Sequence, residues 1–168
     1  MLTERQRSNS TPMNTLKKVS GRLRKLLRGR QKTAHDGSKL HLLIVDDEES
    51  IRFSMEEYFS SHGFKVDTAK EFEGAETLIR LTDYNVIIQD LRLGLKTVSD
   101  GLEVIKFAHE WNPNTRIIVL TSDLSADIEA QAQRAGADVF LRKPKPLAQV
   151  AQVVHGLIGS SRKRAASV

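Results

Sequence analysis

From Leu40 to Ile158 the chain alternates two textures. Short runs rich in large apolar residues fall near 40–45, 64–69, 84–89, 115–120 and 138–142. Between and after them lie longer stretches near 49–61, 71–81, 101–111, 124–134 and 146–158, which read as helices. The runs LLIV, VIIQ and IIVL are apolar without alternation, the pattern of strands buried on both faces. Gly63, Gly101 and Gly136 fall at the junctions, where helices end or begin. Five strands alternating with five helices predict an α/β fold, a doubly wound five-stranded parallel sheet with helices on both faces.

Residues 1–39 contain no strand-like run, and SNSTP and AHDGS punctuate them as linker. Within them a helix is expected at about 12–29, with Thr11 and Pro12 as its start and Gly29 as its stop. Leu16, Val19, Leu23 and Leu26 share one face and the other is almost entirely Lys and Arg, while Gly21 weakens the helix by about 1 kcal/mol relative to Ala. Such a basic amphipathic helix has five readings, one of which is a solvated tail with no role of its own. In the other four it docks on a partner or on the acidic part of its own chain, lies on an anionic membrane surface, pairs with a second copy, or contacts nucleic acid through phosphates. No aromatic residues interleave its charges to stack on bases. The expected organisation is a basic extension at 1–39, a domain at 40–159 and a basic flexible tail at 160–168.

Charge supports that division. The formal net charge of +5 averages +9 over residues 1–39, −7 over 40–159 and +3 over 160–168. The tails, not the domain, are the segments that would seek an anionic partner. The 168 residues suffice for one core, and the absence of cysteine excludes disulfides and thiolate metal sites. No apolar run approaches the roughly 20 residues that span a bilayer. The N-terminus lacks a secretory h-region, so a cytoplasmic setting is expected.

Five polar residues stand at or just past the ends of apolar runs. Asp46 and Asp47 follow LHLLIV, Asp90 follows NVIIQ, Thr121 follows RIIVL and Lys143 follows ADVFLR. Each has an ordinary use alone, such as a helix cap, a turn residue or a solvated lysine. If the runs are neighbouring parallel strands, all five meet at the carboxyl edge of one sheet, where open α/β sheets bind ligands. Three clustered carboxylates repel unless a cation joins them, and a hard oxygen site with few protein ligands suits Mg2+. An ionised Asp90 needs no general base to attack phosphorus. The metal, Lys143 and the Thr121 hydroxyl would neutralise the transferring group.

The pieces LLIVDDEES, VIIQDLRL, DGLEVI, IIVLTS and AGADVFLRKP, in that order, resemble the receiver domain of two-component response regulators, the CheY-like family. The resemblance covers residues 40–158 and implies a flavodoxin-like strand order 2-1-3-4-5. It implies Mg2+ at Asp46, Asp47, Asp90 and the Arg92 backbone carbonyl, with Asp90 as phosphoacceptor. Thr121 and Lys143 would hold phosphoryl oxygens, Phe140 would be a switch aromatic working with Thr121, and Pro144 would follow a cis peptide. Arg92 and Asp123, each two residues past a site residue, would tune the lifetime of the phosphorylated state. The chain departs from the family pattern after Asp90, where Gly94 stands in place of a proline and LGLKTVSDG lengthens the loop over 93–100.

The expected function is that of a single receiver domain, phosphorylated on Asp90 by a histidine kinase or phosphotransfer protein. It would accept phosphate by self-catalysed transfer and dephosphorylate itself, without being an enzyme on a separate substrate. No output domain is expected after residue 158, so signalling would run through the receiver surface, the basic tails or both. The partners implied are a downstream protein target and a second receiver in a homodimer. The alternative is a receiver-fold protein that works independently of phosphorylation, through interaction, nucleic acid or membrane binding by its basic helix.

Overall fold

The computed structural model describes residues 39–93, 98–122 and 125–165. The expected helix at 12–29, the loop centre at 94–97 and Asp123 lie outside the described residues. In chain order the elements are β1 (His41–Val45), α1 (Glu49–Ser61), β2 (Lys65–Ala69), α2 (Phe72–Leu81), β3 (Val86–Gln89), α3 (Val98–Trp111), β4 (Arg116–Thr121), α4 (Ala126–Ala135), β5 (Val139–Arg142) and α5 (Leu147–Ala165). The five strands form one parallel sheet in the order β2-β1-β3-β4-β5, with β1 at the point where the order reverses. This is the predicted doubly wound sheet, with its predicted strand order.

Alternation along each strand builds two apolar layers. Leu42, Ile44, Val86, Ile88, Ile118 and Leu120 face α1 and α5, where they meet Met55, Phe59, Val150 and Val154. Leu43, Val45, Ile87, Ile117 and Val119 face α2, α3 and α4, where they meet Ala75, Ile79, Val104, Ile105 and Ala132. Most of these side chains are wholly buried. Each large one removed from water contributes roughly 1.5–3 kcal/mol, which is why the central strands read as unbroken apolar runs.

The element ends show where local rules hold. α1 closes at Gly63 and α4 at Gly136, both with positive φ (87° and 116°), which glycine adopts without Cβ strain. Ser125 caps α4 by accepting from the Ile128 amide at 3.4 Å. Two ends differ from expectation. α3 begins at Val98 rather than near Gly101, so Gly101 lies in its first turn. A Cβ on Gly101 would stand 2.6 Å from the Leu91 Cα, so close packing and not helix termination selects glycine there. α5 continues to Ala165 instead of ending near Ile158, through part of the segment expected as a tail. That stretch has no proline to end the helix. No helix among the described residues is long and apolar enough to cross a membrane.

Candidate functional site

The carboxyl ends of β1, β3, β4 and β5 bring the predicted site residues together. The strands register so that Val45 lies beside Gln89, and Gln89 beside Val119. Asp46 and Asp90, each one residue further on, therefore leave adjacent strands at the same level. Their backbones stay tied to the sheet: the Asp46 amide donates to the Ala69 carbonyl at 3.1 Å and the Asp90 amide to Val45 at 2.9 Å. Asp46 and Asp90 are buried and Asp47 is half-buried. One carboxylate oxygen from each lies within 4.8 Å of the others.

Lys143 enters from the end of β5. Its amide donates to the Thr121 carbonyl at 2.9 Å, and its Nζ donates to Asp46 Oδ2 at 2.6 Å and Asp90 Oδ2 at 2.7 Å. The peptide between Lys143 and Pro144 is cis, as the resemblance implied. Thr121, the last residue of β4, is wholly buried. Phe140 is half-buried and packs against the layer under α2, α3 and α4. Because Phe140 pairs in register with Val119, it emerges on the face that alternation also gives Thr121.

The electrostatics describe a site short of positive charge. Burial pushes the Asp46 carboxyl above its ordinary range, against the hydrogen bonds from Lys143 and from the Glu48 amide. Burial also works against the Lys143 ammonium, yet its hydrogen bonds to Asp46 and Asp90 outweigh that and hold its pKa above the usual lysine value. Three carboxylates against one ammonium leave two formal negative charges in the cluster. A divalent cation with oxygen preference fits that balance, and the three carboxylate oxygens lie close enough to be shared.

Other groups fix the rim. Asp46 Oδ1 accepts from the Glu48 amide at 3.0 Å, a local turn before α1 and not a helix cap, since Glu48 is the N-cap residue and has no side-chain cap bond. Asp90 Oδ1 accepts from the Arg92 amide at 3.2 Å, and the Arg92 side chain is exposed. Two residues not singled out in the sequence also matter. Arg52 Nη1 donates to the Asp46 carbonyl at 2.6 Å and pins the peptide between the two aspartates. Its position six residues past Asp46 on a helix was the available signal. Gln89 is buried beside Asp90, and its signal was a polar residue ending the otherwise apolar VIIQ.

Comparison with known proteins agrees with the fold. A family model described as "Response regulator receiver domain" matches residues 42–155. The response regulator protein PilR of Pseudomonas aeruginosa is 29% identical over 117 residues, covering 70% of this chain and 26% of PilR. The transcriptional regulatory protein PrrA of Mycobacterium leprae is 31% identical over 132 residues, 77% of this chain and 53% of PrrA. The chain thus spans about half or less of these curated relatives. Among solved structures, a CheY-like receiver domain protein of Methanospirillum hungatei superposes with a TM-score of 0.71 at 24% identity, covering 76% of this chain and 99% of that one. A response regulator of Burkholderia pseudomallei, solved with a phosphorylated aspartic acid, calcium ion and citrate, gives 0.65 at 26% identity, covering 76% and 74%.

Proposed function

The chain belongs to the response regulator receiver domain family, and from that premise we propose that it is a phosphorylation-switched signalling protein of the two-component class. Such a domain is a phosphoacceptor rather than a classical enzyme. The observation that carries the reading is the Lys143 ammonium spanning Asp46 and Asp90 beside Asp47. These residue types, at this spacing, are what transfer of a phosphoryl group to a carboxylate requires.

In this reading an Asp90 oxygen attacks the phosphorus of a phosphohistidine on a kinase or phosphotransfer protein. The new O–P bond forms as the P–N bond breaks, and the electron pair leaves with the imidazole. Asp46, Asp47, Asp90 and the Arg92 carbonyl would hold Mg2+, which when bound neutralises charge on the transferring group. The Burkholderia relative, with its phosphorylated aspartic acid and calcium ion, supports this pairing of acyl phosphate and divalent cation. Lys143 follows one phosphoryl oxygen, and the Thr121 hydroxyl donates to another. Phe140, on the Thr121 face of the sheet, moves with it and alters the surface of α4, β5 and α5. A downstream protein or a second receiver reads that surface, a population shift biased by phosphoryl contacts. Arg92 and Asp123 set the lifetime of the acyl phosphate by controlling access of water. A cytoplasmic setting suits a kinase donor.

The test is incubation with acetyl phosphate, with and without Mg2+, read by intact mass. The wild type gains one phosphoryl group only with Mg2+, and Asp90→Asn gains none. An unmodified wild type, with acetyl phosphate and with a competent phosphohistidine donor, contradicts the reading. Arg92→Ala then changes the rate at which the label is lost; an unchanged rate removes Arg92 from the tuning role.

A further inference from the structure

The phosphoryl chemistry above makes no use of Gln89. This residue ends β3, one position before Asp90, and is 1% exposed. Its Nε2 donates to the Gly101 carbonyl, in the first turn of α3. Gly101 also presses on the residue after Asp90, since a Cβ there would stand 2.6 Å from the Leu91 Cα and 2.8 Å from its carbonyl carbon. One helical residue therefore touches both chain neighbours of Asp90.

The other amide atom of Gln89, Oε1, is buried with no hydrogen-bond partner among the described residues. An unpaired buried acceptor weakens a fold, and an apolar residue of similar volume would fill the place without that cost. The amide thus serves position more than stability. The sequence makes the need concrete. From Asp90 to Asn112 no proline fixes φ, and Gly94, the least restricted residue, stands four positions past Asp90.

We propose that Gln89 is a positioning residue for Asp90: its amide bolts the first turn of α3 to the end of β3 and so holds the Asp90–Arg92 segment in metal-binding and phosphoryl-accepting geometry. The proposal rests on Asp90 being the phosphoacceptor, and it adds a residue that touches neither metal nor phosphate.

Gln89→Met and Gln89→Leu test it in the full chain. Thermal stability should stay close to that of the wild type, because removing the unpaired acceptor offsets the lost Nε2 hydrogen bond. Mn2+ affinity, read by electron paramagnetic resonance, and the acetyl phosphate rate should both fall roughly ten- to a hundredfold, the usual loss when a group that orients metal ligands is removed. Amide exchange in the first turn of α3 should quicken. A merely structural glutamine gives the reverse pattern: lower stability, with metal affinity and rate within twofold of the wild type, and this overturns the proposal. If the wild type takes no phosphate, the functional reading fails instead, while Mn2+ affinity and exchange at Gly101 still decide the role of Gln89.

Discussion

Lys143 stands between two buried carboxylates that would otherwise face each other across the ends of β1 and β3. Replacing it with Met leaves them uncompensated, and the metal-free protein should lose about 3 kcal/mol in urea denaturation, the lower end for breaking a buried pair. The pH dependence has a definite sign. The folded pKa of Lys143 lies above its ordinary 10.5, so its contribution is complete below that value and is lost as pH rises through the folded value. The wild type should show this alkaline loss, and Lys143→Met should lack it. Asp46 behaves in the opposite sense. Its carboxyl is raised above 3.8 by burial, so protons compete with a cation there, and Mg2+ affinity should weaken as pH falls toward the raised value. Titrating Mg2+ across pH checks this. At this scale the sequence was informative for residues whose chemistry is unusual where they stand, such as the paired aspartates. Gln89 and Arg52 escaped notice because a buried amide and a helix-surface arginine acquire meaning only through their three-dimensional partners.

The elements were legible because their periods differ. Runs such as LLIV and IIVL have no polar face to offer solvent, and the structure buries them on both sides. The two missed ends have local causes. Gly101 reads in sequence as a helix boundary, yet it marks the close approach of α3 to the Leu91 backbone. The basic run after Gly159 reads as a tail, yet α5 carries on to Ala165. Gly101→Ala follows from the first case. An added methyl must displace backbone, which costs roughly 1–3 kcal/mol in thermal or chemical unfolding. The same change at Gly156, where a Cβ meets nothing within 4 Å, should stabilise α5 by up to about 1 kcal/mol.

The whole molecule explains why five residues scattered over 98 positions, from Asp46 to Lys143, form one site. Parallel strands with helical crossovers all end on the same edge, so residues just past β1, β3 and β5 meet without any local motif joining them. The same topology sets the range of the proposed switch. Asp90 directly follows β3, while Thr121 and Phe140 lie on the next two strands towards the β5 edge. Beryllofluoride with Mg2+ should therefore alter amide exchange in α4 and β5 and leave β2, on the far edge, unchanged. The central claim is that Asp90 is the reacting carboxylate, and the most direct measurement traps it. The protein is incubated with acetyl phosphate and Mg2+, reduced with borohydride, digested and mapped by peptide mass. The account predicts homoserine at position 90, the product of reducing an acyl phosphate there. Phosphorylated protein with an unaltered aspartate at 90, or with the reduced residue at Asp46 or Asp47, would contradict it.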